Sequence, residues 1–290
     1  MDITTHNFTL SDTGFVGCAY IPENISDTAV IAITGSDGGL KRVQYLAMLF
    51  ADRGIPALAL AYFRHPGLSD TLRLIPLEYI QRAAYWLRDN TSAKKISLYS
   101  ISKGAEYALS AASRFPIFDS IVAVVPNYYV AEGFTKRFFC AGDSSWSYQG
   151  KPLPYLHLSG NIGKLITTSI KEKQLSIKTF YEISERKGVP ADAIIPVEKS
   201  NARILLLSSG QDSMWFSKQA SEKIVEGLKK NHYPHDYKHV CFEISSHILH
   251  PVPEGLEKRY RKTMRVERLH PDKCSTARLE AFELAVEWIS

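Results

Sequence analysis

Short apolar runs alternate with stretches of helical periodicity along this chain of 290 residues. A continuous apolar run is typical of a strand buried on both faces of a sheet, whereas apolar residues at every third or fourth position indicate an amphipathic helix. The apolar runs predict strands at 28–33, 56–63, 96–99, 120–125, 203–208 and 239–244. The helical stretches lie at 42–53, 75–90, 105–112, 217–230 and 277–289. This alternation predicts parallel βαβ units in a doubly wound α/β sheet.

Two segments depart from the alternation. Residues 6–10 and 15–20 flank the turn sequence Ser-Asp-Thr-Gly, which predicts an N-terminal antiparallel hairpin. From about 126 to 196 the pattern loosens, with many aromatic, glycine and proline residues and a possible helix at 178–187. We interpret this segment as an insertion over the carboxyl edge of the sheet, where open α/β sheets bind ligands. The expected organisation is therefore one domain over residues 1–290.

A serine stands between a predicted strand and a predicted helix, in Ser100-Ile101-Ser102-Lys103-Gly104. Strand, sharp turn and helix with a serine at the tip form the setting of a nucleophile elbow, whose usual pattern is G-x-S-x-G. The positions two before and two after the serine must be small, and here they are Ser100 and Gly104. From this segment alone, a helix that Ser102 merely caps is the alternative. Ser102 is the candidate nucleophile.

A serine hydroxyl needs a base to take its proton and a third group to orient that base. In elbow hydrolases the acid and then the histidine follow the nucleophile, each in a loop after a strand. The first strand after the insertion leads to Asp212, and the next strand leads to His247. Asp212 and His247 are therefore the predicted acid and base, although Asp212 could also be an ordinary loop carboxylate. His250 is the near competitor of His247, while His239 is expected at the opening end of its strand.

The first buried strand ends in a loop rich in glycine, Gly35-Ser36-Asp37-Gly38-Gly39. An oxyanion hole takes one backbone N–H from the residue after the nucleophile, here Lys103, and a second from this loop. Ser36 or Asp37 is the expected second donor, and the sequence leaves that choice open. The other interpretation is a phosphate-binding loop, but no G-K-[ST] is present and the glycines do not match G-x-G-x-x-G. No cofactor is therefore expected.

Composition and termini bear on the class of protein and its location. Hydrophobic residues make up 45% of the chain and charged residues 22%, as in globular proteins with a large core. No run reaches the roughly 18 consecutive apolar residues of a membrane span. The N-terminus lacks the basic and then apolar segments of a secretory signal. We therefore expect a cytoplasmic protein without a membrane span.

The net charge is +5, and basic residues concentrate at 229–232 and 257–268. Because acidic residues are interleaved with them, a solvated helix face is favoured over a nucleic-acid surface. Attraction of a phosphate-bearing substrate is a third interpretation. His235 and His239 have the separation of some metal ligands, but Pro234 and the strand beyond argue against a helical pair. No metal is expected.

Six segments carry a resemblance to a known family. They are G-S-D-G-G-L at 35–40, A-L-A-Y-F at 59–63, P-L-E-Y at 76–79, I-S-K-G-A-E at 101–106, I-P-V-E-K at 195–199 and G-Q-D-S-M-W at 210–215. Together they resemble the catalytic domain shared by acyl-CoA thioesterases and bile acid-CoA:amino acid N-acyltransferases, from about Thr28 onward. The resemblance implies an α/β-hydrolase fold. It also implies that the nucleophile, acid and base fall on Ser102, Asp212 and His247.

The resemblance also bears on the acyl acceptor. Amino-acid-conjugating members of the family use cysteine as nucleophile and thioesterase members use serine, so Ser102 implies that water accepts the acyl group. We expect a serine hydrolase whose substrate is a small-molecule acyl thioester or ester. Aromatic residues of the insertion are expected to cover the acyl chain, namely Tyr128, Phe134, Phe138, Trp146 and Tyr155. The alternatives are a carboxylesterase, an acyltransferase with another acceptor, and a non-catalytic binding protein with this fold.

Overall fold

The structure is a computed structural model that describes residues 2–23, 26–137, 140–160 and 162–290. Its strands are β1 (Ile3–Phe8), β2 (Val16–Pro22), β3 (Thr28–Ile33), β4 (Ala57–Ala61), β5 (Ile75–Pro76), β6 (Lys95–Ile101), β7 (Ser120–Val124), β8 (Glu132–Phe134), β9 (Cys140–Ser144), β10 (Trp146–Tyr148), β11 (Lys151–Pro152), β12 (Arg203–Ser209) and β13 (Tyr237–Phe242). Its α-helices are α1 (Leu10–Thr13), α2 (Lys41–Ala51), α3 (Glu78–Asn90), α4 (Lys103–Ala112), α5 (Ile162–Glu172), α6 (Lys178–Glu185), α7 (Ser217–Lys230), α8 (Glu257–Thr263), α9 (Arg265–Leu269) and α10 (Pro271–Ile289). Short 3-10 helices lie at Ala191–Ala193 and Val197–Lys199.

Eight of these strands form one sheet, in the order β1-β2-β4-β3-β6-β7-β12-β13. β2 runs antiparallel to its neighbours β1 and β4, and the other ladders of the sheet are parallel. The predicted doubly wound, mostly parallel sheet with an antiparallel N-terminal hairpin is therefore confirmed. The hairpin connection is longer than a tight turn, because it contains the helical turn α1.

Alternate residues of the central strands face two separate apolar cores, as the pleat of a strand requires. Ile31 and Leu98 pack on one face of the sheet together with residues of α3, α4 and α7. Val30 and Tyr99 pack on the other face together with residues of α2 and α10. Burial on both faces explains why these strands appear in the sequence as continuous apolar runs.

The strand order changes direction between β3 and β6, which pair in parallel from Thr28–Lys95 to Ile33–Ser100. From β3 the chain continues to β4 on one side of this pair, and from β6 it continues to β7 on the other. Loops at the carboxyl ends of two such strands lead away in opposite directions and leave a crevice between them, where ligands bind. The loop after β3 and the turn after β6 therefore meet at a natural binding site.

The segment 126–196 adds no strand to the eight-stranded sheet in the part of the chain that the structure describes. It forms the hairpin β8–β9, the helices α5 and α6, and two strands that join β5 in the small sheet β11-β10-β5. The predicted helix at 178–187 corresponds to α6, whereas α5 and the short strands were not predicted. The assignment of all 290 residues to one domain with this segment as an insertion stays a prediction.

No helix in the described ranges is long and apolar enough to cross a bilayer. The cytoplasmic location expected from the sequence stays a prediction.

Candidate active site

Ser102 forms the turn between two regular elements by itself, because β6 ends at Ile101 and α4 begins at Lys103. Its backbone has φ of +59° and ψ of −125°, and residues with a side chain adopt such a conformation at a cost of about 1–3 kcal/mol. The N–H of Ser102 donates to the carbonyl of Val124 in the neighbouring strand at 2.9 Å. The sheet therefore holds the strained turn in place, with the hydroxyl at its tip.

The two small positions around Ser102 differ in how strictly they need to be small. A Cβ on Gly104 would lie 2.3 Å from the carbonyl oxygen of Thr34, so only glycine fits there. Ser100 is fully buried, and its hydroxyl donates to the carbonyl of Val122 at 3.0 Å. Serine is accommodated at position 100 because its polar atom has a partner.

Three side chains from distant parts of the chain form a hydrogen-bonded row. The distance between Ser102 Oγ and His247 Nε2 is 2.9 Å, and His247 Nδ1 lies 2.8 Å from Asp212 Oδ2. Ser102, Asp212 and His247 are 7%, 9% and 6% exposed. Because the carboxylate can only accept, Nδ1 carries the proton and Nε2 is left to accept from the serine hydroxyl. This arrangement can deprotonate a serine during attack on a carbonyl.

Trp215 fixes both the acid and the base of this row. The backbone N–H of Trp215 and that of Met214 donate to Asp212 Oδ1, at 3.4 and 2.8 Å. The indole ring meets the His247 ring edge to face, with centroids 4.6 Å apart, and its Nε1 donates to the carbonyl of Val125 at 3.2 Å. In the sequence analysis Trp215 appeared only as the last residue of G-Q-D-S-M-W, and no structural role was predicted for it.

The loop that carries His247 is anchored by a buried ion pair. Ser246 Oγ donates to Glu267, which pairs with Arg278, and the N–H of Ile248 donates to Ser246 Oγ at 3.0 Å. Glu267 is 1% exposed, so the solvated face predicted for 257–268 is wrong at this residue. A charge-rich segment gives no signal in the sequence that one of its carboxylates faces inward.

The other histidines considered from the sequence lie in different settings. His250 Nδ1 lies 2.8 Å from the carbonyl of Pro251, and burial lowers the pKa of this imidazole to about 4. His239 was expected at the opening end of its strand, but it lies within β13, with Nε2 2.7 Å from Ser208 Oγ. The expectation was wrong because β13 begins at Tyr237, two residues before the apolar run.

The glycine loop after β3 lies directly against the candidate nucleophile. A Cβ on Gly35 would be 2.9 Å from Ser102 Cβ and 3.1 Å from its Oγ. The backbone N–H groups of Ser36 and Lys103 have no hydrogen-bond partner within the described residues. The carboxylate of Asp37 in the same loop pairs with Arg42 at 3.0 Å. The loop and the helix start thus place unpaired backbone donors on the two flanks of Ser102.

A second buried ion pair follows Ser102 immediately. Lys103 Nζ lies 2.7 and 2.9 Å from the two carboxylate oxygens of Glu106, and both side chains are 1% exposed. Burial lowers the pKa of Lys103 and raises the pKa of Glu106, and each charge opposes the shift of the other. Glu106 Oε1 also accepts from Trp146 Nε1 at 2.8 Å and from the N–H of Ala131 at 3.0 Å. Glu106 therefore links the segment 126–196 to the helix that begins beside Ser102.

Four of the five aromatic residues expected to cover an acyl chain pack within or against one apolar core. Trp146 is completely buried in the core, where its ring packs against Tyr62 and Tyr107. The partly buried aromatics of this set pack against the same core, namely Tyr128, Phe134 and Tyr155. Phe138 lies outside the described residues. Ordinary core packing thus accounts for Trp146.

A polar cleft of about 400 Å³ borders Asp212. Lys178 and Arg265 contribute basic groups to its lining, while Gln211 and Trp215 connect it to the loop after β12. The cleft therefore lies on the acid side of the hydrogen-bonded row.

Solved structures of similar fold share this architecture. The chain aligns over its whole length with a putative dienelactone hydrolase from Klebsiella pneumoniae, covering 99% of that chain, with a TM-score of 0.57 and 13% identity. An esterase from Pyrococcus furiosus aligns with a TM-score of 0.55 and 14% identity, covering 100% of this chain and 92% of that one. These neighbours confirm the predicted α/β-hydrolase fold.

Proteins more similar in sequence are named for reactions of acyl-coenzyme A. Human acyl-coenzyme A thioesterase 1 is 28% identical over 233 residues, which cover 79% of this chain and 51% of that protein. Rat acyl-coenzyme A amino acid N-acyltransferase 2 is 27% identical over 225 residues, which cover 77% of this chain and 49% of that protein. The chain thus spans about half the length of these relatives. The family model described as BAAT / acyl-CoA thioester hydrolase C terminal matches residues 75–254, more than half of the chain, and the protein belongs to this family.

Proposed function

We propose that this chain is a serine hydrolase of acyl thioesters that works through an acyl-enzyme on Ser102. The observation that carries the proposal is the 2.9 Å contact between Ser102 Oγ and His247 Nε2, with Nδ1 of the same ring directed at Asp212. A hydroxyl becomes a nucleophile at neutral pH only when a base is in position to take its proton. In this row His247 is that base and Asp212 fixes its tautomer.

The reaction proceeds in two halves. Ser102 Oγ bonds to the thioester carbonyl carbon while its proton passes to His247 Nε2, and the carbonyl oxygen becomes an oxyanion. When the tetrahedral intermediate collapses, the C–S bond breaks and His247 gives its proton to the leaving thiolate. A water molecule then loses a proton to His247 and attacks the acyl-enzyme. Collapse of the second intermediate releases the carboxylic acid and restores the serine hydroxyl.

The oxyanion is stabilised by the backbone N–H groups of Lys103 and Ser36. Lys103 is the first residue of α4, so its N–H lies at the positive end of the helix dipole. We favour Ser36 over Asp37 as the second donor, because Ser36 directly follows Gly35, which lies against Ser102. Each such donor is worth about 10²–10³ in rate.

The choice of a thioester rests on family membership and on the names of the relatives. Serine at position 102 is the residue expected of the hydrolytic members, which favours water as acceptor. Since an N-acyltransferase is among the relatives, acyl transfer to an amino acid is the second candidate. Analysis of products with and without amino acids separates the two, because transfer predicts an amide and hydrolysis predicts only the free acid.

The decisive experiment compares wild type, Ser102→Ala and Ser100→Ala on acyl-CoA and on acyl esters. Loss of the nucleophile is expected to lower turnover by at least about 10³-fold, by analogy with other triads. Ser100→Ala is the matched control, because it removes a buried serine hydroxyl two residues away that does not face His247. A fluorophosphonate probe should label wild type at Ser102, as read by peptide mapping. If Ser102→Ala hydrolyses at the wild-type rate, or wild type is never labelled, the proposal is wrong.

A further inference from the structure

The helix α5 presents an apolar stripe to solvent. Ile162, Ile166 and Ile170 follow one another at four-residue spacing, which places them on one side of a helix. They are 58%, 50% and 71% exposed, and no residue of α5 is buried. Three exposed isoleucines on one side of a helix form a contiguous apolar surface. Such a surface usually marks an interaction site.

A cluster of cations lies beside the C-terminal end of this stripe. The helices α8 and α9 are hydrogen-bonded to the residues that directly follow α5. Leu175 N donates to Thr263 O at 2.8 Å, and Arg268 Nη2 donates to Lys173 O at 2.7 Å. The cluster comprises six exposed basic residues, namely Lys171, Lys173, Arg261, Lys262, Arg265 and Arg268. We call the three isoleucines together with these six residues the isoleucine–basic face.

Little negative charge offsets these cations. Within 162–178 and 257–269 the sequence has three acidic residues. Glu172 pairs with Lys178 at 3.2 Å, and Glu267 pairs with Arg278 in the interior. Of the acidic residues in these two ranges, Glu257 is left to oppose the six exposed cations, so the cluster carries excess positive charge next to an apolar stripe.

We propose that the isoleucine–basic face binds the surface of a membrane that contains anionic phospholipid. A helix with an apolar stripe and basic neighbours lies in the plane of the interface, where the apolar side chains enter the boundary of the acyl chains and the cations meet the head groups. Both halves of the face are used in this way. A nucleic acid would use the cations and leave the isoleucines in water, so it fits the surface less well. The proposal does not depend on the chemistry at Ser102.

The test measures sedimentation of the full chain with two kinds of vesicle, phosphatidylcholine alone and phosphatidylcholine mixed with phosphatidylglycerol. Binding to the mixed vesicles and not to the neutral ones is expected, and it should weaken as salt screens the head groups. Lys171→Gln with Lys173→Gln should lower the affinity by roughly 25-fold, at about fivefold per cation near an anionic surface. Ile166→Ser with Ile170→Ser should lower it by more than about tenfold, because both side chains leave the interface.

The matched control is Tyr85→Ser, which removes an exposed apolar ring on α3, 44% exposed, and should bind like wild type. Unchanged melting temperatures establish that the variants are folded, as expected for substitutions at exposed positions. The proposal is overturned if wild type ignores mixed vesicles, or if the isoleucine variant binds as well as wild type. It is also overturned if RNA binds the face without need of the isoleucines, or if the stripe proves to hold two copies together in light scattering.

Discussion

Removing one partner of the buried Lys103–Glu106 pair should destabilise the protein strongly. In Glu106→Gln an amide oxygen can still accept from Trp146 and Ala131, whose bonds to Oε1 measure 2.8 and 3.0 Å. What disappears is the countercharge of an ammonium group that is 1% exposed. Breaking a buried pair in this way costs about 3–5 kcal/mol.

The cost of neutralising the remaining group by proton uptake or release sets an upper limit on this loss of stability. Rather than remain charged and unpaired, Lys103 can release its proton, which at pH 7 costs at most about 5 kcal/mol from an ordinary pKa near 10.4. In Lys103→Met the stranded carboxyl can take up a proton instead, at a cost of at most about 4 kcal/mol from a pKa near 4.3. The double variant Lys103→Met with Glu106→Gln contains neither charge. It should therefore be more stable than either single variant.

Urea unfolding of the four proteins at several pH values measures these differences. Burial raises the pKa of Glu106. In Lys103→Met the carboxyl therefore contributes to the free energy of unfolding below its unfolded pKa, and this contribution is lost as pH rises. Burial lowers the pKa of Lys103. In Glu106→Gln the amine of Lys103 therefore contributes to the free energy of unfolding above its unfolded pKa, and this contribution is lost as pH falls. The deficit of Lys103→Met should thus shrink toward pH 5, and that of Glu106→Gln should shrink toward pH 9. Single variants within about 1 kcal/mol of wild type, or a double variant as unstable as the sum of the two, would refute this account.

Three further substitutions test the site and its surroundings. Gly35→Ala should lower kcat by at least about tenfold, because the new Cβ would lie 2.9 Å from that of Ser102; a normal rate in an ester assay would contradict this. Gly104→Ala should lower the free energy of unfolding by about 3 kcal/mol, because its Cβ would meet the carbonyl oxygen of Thr34 at 2.3 Å; an unchanged urea midpoint would count against it. His250→Asn should reduce the dependence of the free energy of unfolding on pH below about pH 6.5. Because burial lowers the pKa of His250 to about 4, the wild type holds a stability contribution above pH 6.5 that it loses as pH falls through 4, up to about 3 kcal/mol; parallel wild-type and variant profiles would exclude this role.

The sheet was predictable because its strands are buried on both faces. β3 was predicted with its observed bounds, and α7 likewise, since an apolar run or a clean helical period leaves few alternatives. The predicted bounds of an element were wrong where tertiary contacts determine the residue at which it begins. The helix predicted from residue 75 begins at Glu78, because Ile75–Pro76 pairs with Trp146 and Ser147 as a strand.

In the segment 126–196 the sequence pattern predicted only α6 among the helices and strands that the structure describes. Its short strands are fixed by single distant contacts, such as the carboxylate of Glu132 that accepts from Gly142 N at 2.6 Å and from Leu158 N at 2.9 Å. The isoleucines of α5 do recur at helical spacing, but that side of the helix faces solvent and not a core. At the candidate site, the order of Ser102, Asp212 and His247 was predictable from strand endings. The supporting Glu106 and Glu267 were not, because a buried carboxylate looks like any other in a sequence.

Each of Gly35, Ser102, Asp212 and His247 follows a strand of the eight-stranded sheet, and these strands lie in the contiguous run β3-β6-β7-β12-β13. Their separations are consequently set by backbone ladders and not by the segment 126–196, which supplies none of the four. Substitutions at exposed positions of that segment would leave these ladders, and with them the spacing of the four residues, unchanged.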